Sequence, residues 1–240
     1  MYEFPGFVYL DPEKTGSTFI FQLLSKYCVD EGIKRDHHQP MPADCDRSKF
    51  YFISIRDPLD AYISLYSFGC ASRGRMRMRY EREELGHVYD GSTNGFNEWL
   101  KYALRANRAD VVATDYASSS VAQLLGPQSY RYLRLAIPGS RGRLGECTTR
   151  DEIRAFYEKE KLPDFTVRYE TFTEDLTRLV RGPLNRWIDD VEEAVDFVKT
   201  GRPLNASKRI DEANGDFAVR PKLMERLRDR EWFLHELFGY

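Results

Sequence analysis

The residues best suited to bind a phosphate group lie near the amino terminus, in a segment that contains Lys14, Gly16, Ser17 and Thr18. Lysine supplies a point charge, the hydroxyls donate hydrogen bonds, and glycine lets the backbone approach an anion closely. The order of these residues differs from the Walker pattern, in which the lysine follows the second glycine. The segment therefore predicts an anion site in which the lysine precedes the glycine.

The segments on either side of this loop are expected to position it. Phe7–Leu10 is a short apolar run that predicts a buried strand. After the loop, apolar residues recur at helical spacing, namely Ile20, Leu23, Leu24 and Tyr27. A helix that begins here directs its unpaired N–H groups and the positive end of its dipole at the loop, which favours an anion.

A second segment repeats this strand-to-helix pattern. Residues 50–55 (Phe-Tyr-Phe-Ile-Ser-Ile) predict a buried strand that ends at Arg56. Asp57 is a good helix cap and Pro58 suits the first helical position. An arginine at the carboxyl end of a strand points into the crevice where open α/β sheets bind ligands, so Arg56 is a second candidate anion ligand.

Residues 14–19 (Lys-Thr-Gly-Ser-Thr-Phe) resemble the 5′-phosphosulfate loop of sulfotransferases that use 3′-phosphoadenosine 5′-phosphosulfate (PAPS). The run from Arg56 to Ser64 resembles the family's 3′-phosphate motif, in which a strand-end arginine and a helix serine hold that phosphate. The two motifs occur in the family's order. One departure is that Glu13 separates Pro12 from Lys14, where the family usually has proline directly before the lysine.

The resemblance implies a P-loop NTPase-like sulfotransferase fold of α/β class, in one domain over residues 1–240. The alternation of predicted helices and strands favours a mostly parallel central sheet flanked by helices. PAPS is the implied sulfuryl donor, and no metal is implied. Lys14 is expected to neutralise the leaving group. The remaining cofactor-binding residues that the resemblance suggests are Thr15, Gly16, Ser17, Thr18, Phe19, Arg56, Ser64, Tyr169, Ser207, Lys208 and Arg209.

A general base is required because a hydroxyl acceptor is a poor nucleophile while it is protonated. His38 lies between the two motifs, and His38-Gln39-Pro40 resembles the His-x-Pro setting of the cytosolic sulfotransferases. His38 is therefore the predicted base, with His37 as its neighbour. Many carbohydrate sulfotransferases use a glutamate instead, which keeps three carboxylates as alternatives, Glu13, Asp36 and Asp44.

Four arginines alternate along residues 72–80, at positions 73, 75, 77 and 79. In an extended chain this spacing places all four guanidinium groups on one side, whereas a helix scatters them. An extended comb of this kind is suited to an anionic acceptor such as an acidic glycan. A surface loop without a ligand is the other interpretation.

Further elements are predicted from periodicity and turn residues along the rest of the chain. Helices are expected over residues 96–104, 118–125, from a Thr149 cap to residue 161, and over 220–238. Strands are expected over residues 111–113, 130–135 and 165–169.

Composition limits the class of protein. The chain has 240 residues, 42% of them hydrophobic, and a net charge of −2, which fits a globular enzyme better than a nucleic-acid-binding protein. We expect a cytoplasmic protein, because the sequence shows no leader, membrane span or paired-cysteine pattern. The alternatives are a P-loop small-molecule kinase and a non-catalytic adenosine-bisphosphate or glycan-binding protein. The acceptor, small molecule or carbohydrate, and the oligomeric state are left open.

Overall fold

A computed structural model describes residues 1–36, 38–118, 120–201 and 217–240. Its strands are β1 (Tyr2–Glu3), β2 (Phe7–Leu10), β3 (Ile33–Lys34), β4 (Phe50–Ile55) and β5 (Phe165–Arg168). Its α-helices, numbered in order among the described residues, are α1 (Ser17–Tyr27), α2 (Pro58–Cys70), α3 (Arg75–Arg82), α4 (Thr93–Ala103), α5 (Thr114–Ala117), α6 (Pro127–Ala136), α7 (Ser140–Arg143), α8 (Arg150–Glu160), α9 (Phe172–Arg181), α10 (Val191–Thr200), α11 (Pro221–Arg230) and α12 (Trp232–Phe238).

The strands form one open sheet in the order β3-β1-β2-β4-β5. The pairs β2–β4 and β4–β5 are parallel, whereas β1 is antiparallel to both β2 and β3. The α/β class is confirmed, but the expectation of a mostly parallel sheet is wrong, because the sheet is mixed. The reason is the tight turn between β1 and β2, in which the N–H of Phe4 donates to the carbonyl of Phe7 at 2.9 Å. So short a connection can join only antiparallel strands.

The chain divides into two compact units. The first contains Met1–Asp57, Tyr132–Ser140 and the described residues from 156 to 201, and thus holds the whole sheet with α1, α9 and α10. Its core is a cluster of buried side chains from the sheet and these helices, including Phe7, Tyr9, Phe19, Ile20, Leu23, Phe52, Val167, Leu176 and Val195. This core holds the sheet and the start of α1 in place.

The second unit contains Pro58–Arg131, Arg141–Ala155 and the described residues 217–240. It is helical, with an aromatic cluster around the buried Trp99, whose indole N–H donates to the Tyr89 hydroxyl at 2.7 Å. The fully buried carboxylate of Glu231 accepts hydrogen bonds from the Tyr62 hydroxyl and from the backbone N–H groups of Gln128 and Ser129. Glu231 therefore caps the amino terminus of α6.

Several segments have a secondary structure that differs from the predicted one. Residues 130–135 were expected to be a strand but lie in α6, since Pro127 begins a helix whose free N–H groups a distant carboxylate satisfies. Val111 ends a 3₁₀ helix (Ala106–Val111), and residues 112–113 follow that helix instead of forming a strand with Val111. The helix predicted over 220–238 is interrupted at Glu231, where α11 ends and α12 begins. The helices around residues 96–104 and 149–161 are confirmed as α4 and α8.

The extended arrangement expected for the arginine comb is not observed either. Residues 75–82 form α3, which is helical because Met76 and Tyr80, four residues apart, are buried on the same side. Arg77 pairs with Glu81 at 2.7 Å, and Arg79 donates to the carbonyl of Val112. The four guanidinium groups therefore do not lie along one side of an extended strand.

Candidate functional site

The candidate site lies in the first unit, at the edge of the sheet where three strands end. Because β2, β4 and β5 run parallel, their carboxyl ends meet at one edge. The predicted phosphate loop follows β2, Arg56 follows β4, and Tyr169 follows β5. Strand pairing thus brings together the two motifs that the sequence separates by about 40 residues.

The loop has the predicted strand–turn–helix geometry. Gly16 adopts a left-handed conformation (φ 88°) immediately before α1, and its carbonyl accepts the N–H groups of Phe19 at 3.0 Å and Ile20 at 3.2 Å. Ser17 is half-buried and Thr18 is exposed in the first turn. Among the described residues no side chain caps this helix, and its first turn contains no acidic residue. The first turn of α1 therefore presents N–H groups and hydroxyls at the loop, as an anion site requires.

Phe172, which the sequence analysis did not single out, closes one side of this turn. A Cβ added to Gly16 would lie 2.7 Å from the Phe172 ring. The ring also packs edge-on against Phe19, with centroids 5.7 Å apart. The residue at position 16 must therefore be glycine for two reasons, its positive φ and the aromatic ring beside it.

Replacing Gly16 with alanine should lower the free energy of unfolding by roughly 2–5 kcal/mol, from left-handed strain plus displacement of Phe172. Gly142 provides the matched control, because it has nearly the same φ (86°) and no atom of the described residues lies within 4 Å of an added Cβ. Gly142→Ala should cost only the strain of about 1–2 kcal/mol. Urea unfolding of both variants measures the difference, and equal losses would show that Phe172 does not constrain the loop.

The Thr15 side chain points inward. It is buried, its hydroxyl donates to the carbonyl of Pro12 at 2.9 Å, and it lies 2.6 Å from the Ser54 hydroxyl on β4. The hydroxyl predicted to hold the 5′-phosphosulfate is thus occupied within the protein. Only the backbone N–H of Thr15 is suited to meet an anion.

Arg56 is buried beneath an aromatic side chain at the same edge. Its guanidinium carbon lies 4.2 Å from the centroid of the Tyr169 ring, a cation–π arrangement, and burial limits the freedom of the arginine side chain. The Tyr169 ring in turn lies 5.7 Å from that of Phe172. A continuous row of side chains therefore joins Arg56 to Gly16. Tyr169 contacts Arg56, and any stacking of Tyr169 on adenine stays a prediction.

Glu170 fixes the backbone beside Arg56. Its carboxylate Oε1 accepts the backbone N–H of Asp57 at 2.6 Å. Asp57 immediately precedes Pro58, where α2 begins. Two contacts therefore fix the segment that follows β4. Tyr169 packs on the guanidinium of Arg56, and Glu170 accepts the backbone N–H of Asp57.

His38 lies against the start of the phosphate loop. Its backbone N–H donates to Oδ1 of Asp11 at 3.1 Å, and its ring Nδ1 is 2.5 Å from the carbonyl oxygen of Asp11. Asp11 is fully buried, and its Oδ1 also lies 2.6 Å from the amino group of Met1. Since a carbonyl can only accept, the proton belongs on Nδ1, so Nε2 of the neutral ring carries the basic lone pair.

The other candidate bases occupy different surroundings. Glu13 lies in the loop itself and is half-buried. Asp36 is exposed, with its backbone carbonyl accepting from the Met1 amino group at 3.2 Å, and Asp44 is exposed on the chain after His38. His37 lies outside the described residues. Of the described candidates, His38 has its ring held against the loop by a hydrogen bond.

The remaining predicted cofactor residues are one core side chain, one residue of the second unit and three residues outside the described ranges. Phe19 is in the core, where its ring stacks on Phe197 with centroids 5.1 Å apart, so it is not placed to stack on adenine. Ser64 is half-buried on α2, which belongs to the second unit. Three predicted residues, Ser207, Lys208 and Arg209, lie outside the described residues.

Within the described ranges, the chain has no group of three or more His, Cys, Asp or Glu side chains arranged to hold a metal ion. Over the same residues, no helix combines the length and apolar character needed to cross a bilayer. All four cysteines are free thiols.

Comparison with known proteins gave no relatives. No protein-family model, curated protein or solved structure matches this chain.

Proposed function

We propose that the protein is a sulfotransferase that moves the sulfuryl group of PAPS to a hydroxyl of a carbohydrate or small-molecule acceptor. The observation that supports this most is the meeting of the Lys14–Thr18 loop and Arg56 at one sheet edge. A ligand with phosphate groups at two ends needs two separated anion sites, and the two motifs supply them. The proposal includes the P-loop NTPase-like sulfotransferase fold that the resemblance implies for the chain.

In the proposed reaction, His38 acts on the acceptor, and Lys14 and the Gly16 turn act on the sulfuryl donor. Nε2 of His38 accepts the proton of the acceptor hydroxyl while that oxygen bonds to sulfur. The bond from sulfur to the 5′-phosphate oxygen breaks, and the departing adenosine 3′,5′-bisphosphate takes the electron pair. Lys14 neutralises the charge that develops on the leaving oxygen, as in phosphoryl transfer. The N–H groups at Gly16 and the first turn of α1 hold the 5′ group.

Arg56 holds the 3′-phosphate in this scheme. Its packing against Tyr169 means that little side-chain entropy remains to be lost on binding. Ser64 keeps its predicted role as a second 3′-phosphate ligand on the strength of the resemblance. The family's basic loop corresponds to Ser207, Lys208 and Arg209, which stay predictions.

The proposal is tested first by thermal unfolding with nucleotides. Adenosine 3′,5′-bisphosphate should raise the melting temperature, and at ~100 times its Kd should add roughly 2.7 kcal/mol to the free energy of unfolding. AMP lacks the 3′-phosphate and should stabilise the protein much less. Equal stabilisation by both nucleotides would remove the role of Arg56.

The second test separates the alternatives. A kinase would bind ATP in competition with PAPS, whereas a sulfotransferase should prefer PAPS. A binding protein would be stabilised by the bisphosphate but would form no product. Labelled PAPS with a panel of neutral and acidic glycans and phenols, followed by mass spectrometry, detects transfer and identifies the acceptor class.

A further inference from the structure

A line of buried hydroxyl groups runs beneath the phosphate loop. The Tyr9 hydroxyl on β2 lies 2.6 Å from the Ser54 hydroxyl on β4, which lies 2.6 Å from the Thr15 hydroxyl. Thr15 lies 2.9 Å from the Pro12 carbonyl oxygen. Tyr9 and Ser54 are completely buried and Thr15 is nearly so. The proposed transfer chemistry uses none of these side-chain hydroxyls.

The direction of every hydrogen bond in this line is fixed by its last member. A carbonyl oxygen only accepts, so the single hydroxyl proton of Thr15 goes to Pro12. Thr15 must then accept from Ser54, and Ser54 must accept from Tyr9. Burial raises the pKa of the Tyr9 phenol far above its ordinary value, which keeps the proton at the start of the line. Each hydroxyl therefore has one defined donor role.

The last two groups of this line, the Thr15 hydroxyl and the Pro12 carbonyl, come after and before Lys14 in the sequence. Lys14 has a left-handed backbone (φ 66°), a conformation that costs energy for any residue with a side chain and persists only where its surroundings enforce it. Pro12, two residues before Lys14, accepts a hydrogen bond from Thr15, directly after Lys14. Ser54 attaches that hydrogen-bonded pair to β4, the strand that Arg56 follows.

We infer that Ser54 is a positioning residue, which holds the phosphate loop in its anion-binding conformation through the hydroxyl of Thr15. It touches no ligand. Its effect is to fix Lys14 and the Gly16 turn relative to β4, the strand that Arg56 follows. The inference rests on the proposed function only in taking the loop as the anion site.

The experiment compares Ser54→Ala with Tyr9→Phe, by hydrogen exchange of the loop amides in the full chain without nucleotide. Ser54→Ala breaks the line beside Thr15 and should speed exchange at residues 13–17 by about tenfold or more, the factor expected for a lost buried hydrogen bond. Tyr9→Phe removes only the first hydroxyl of the line and leaves the hydrogen bonds from Ser54 to Thr15 and from Thr15 to Pro12 intact. It should leave loop exchange unchanged.

A second pair of variants, both at Thr15, tests the hydrogen bonds at the Pro12 end of the line. Thr15→Ser keeps the hydroxyl and should behave like the original chain, whereas the isosteric Thr15→Val removes it and should match Ser54→Ala. Affinity for adenosine 3′,5′-bisphosphate, measured by calorimetry, should fall about tenfold in Ser54→Ala and Thr15→Val but not in Tyr9→Phe or Thr15→Ser.

The outcomes are distinguishable. Unchanged loop exchange in Ser54→Ala, or equal acceleration in Tyr9→Phe, would overturn the inference. Faster exchange with unchanged bisphosphate affinity would also overturn it, because Ser54 would then serve stability alone. If the unsubstituted chain bound no bisphosphate, the proposed function would fail, and the exchange comparison would still decide whether Ser54 holds the loop.

Discussion

Replacing Lys14 with alanine is expected to reduce turnover by roughly 10²–10³-fold at saturating PAPS, the range found when one group that stabilises transition-state charge is removed. In the proposed reaction, negative charge grows on the bridging oxygen as the bond to sulfur breaks. A cation aimed at that oxygen gains more interaction energy in the transition state than in the ground state. Bisphosphate affinity should therefore fall much less than turnover.

Two further variants separate the loss of the Lys14 ammonium group from backbone strain and from the loss of any surface lysine. Lys14→Gly also removes the ammonium group but relieves the left-handed strain (φ 66°), so it should be about 1 kcal/mol more stable than Lys14→Ala and equally inactive. Lys159, exposed on α8, serves as a surface control, and Lys159→Ala should keep normal turnover. Near-normal turnover of Lys14→Ala would refute the leaving-group role.

Replacing His38 with alanine is expected to reduce turnover by roughly 10²-fold or more while bisphosphate binding is kept. The nucleotide site is built from the loop and Arg56, whereas His38 acts on the acceptor hydroxyl. His37→Ala should have a smaller effect.

The carboxylate alternatives give a direct comparison. Glu13→Gln, Asp36→Asn and Asp44→Asn should each keep most of the turnover. If one of them abolished it while His38→Ala did not, the base would be a carboxylate, as in carbohydrate sulfotransferases. Long-range ¹H–¹⁵N spectra give an independent check of His38, because its contact with the Asp11 carbonyl requires the Nδ1-protonated tautomer in the neutral ring.

Local features of the sequence were sufficient to predict the frame of the candidate site. The buried strands at residues 7–10 and 50–55 follow from uninterrupted apolar runs, and the start of α2 follows from Pro58. The turn at Gly16 follows from glycine's freedom to adopt positive φ. Each of these signals lies within a few residues of the feature it predicts, so it can be detected without knowledge of the fold.

Which strands pair could not be predicted in the same way. The apolar runs of β2 and β4 fit parallel or antiparallel neighbours equally well, and β1 has only two residues. Residues 130–135 form a helix because a carboxylate about 100 residues away, Glu231, caps it. The arginines of α3 alternate in sequence, but burial of Met76 and Tyr80 sets the helical conformation.

The sequence by itself determined the strand–loop–helix at Lys14 and Gly16 and the arginine at the end of a strand. Only the tertiary structure decided what surrounds them: Phe172 beside Gly16, Tyr169 over Arg56, and the Asp11 carbonyl on the ring of His38. The physical reason is that side-chain direction depends on packing between segments distant in the chain. The same packing turns the Thr15 hydroxyl inward to Ser54 and buries Phe19 in the core, where residue type and spacing suggested ligand contacts.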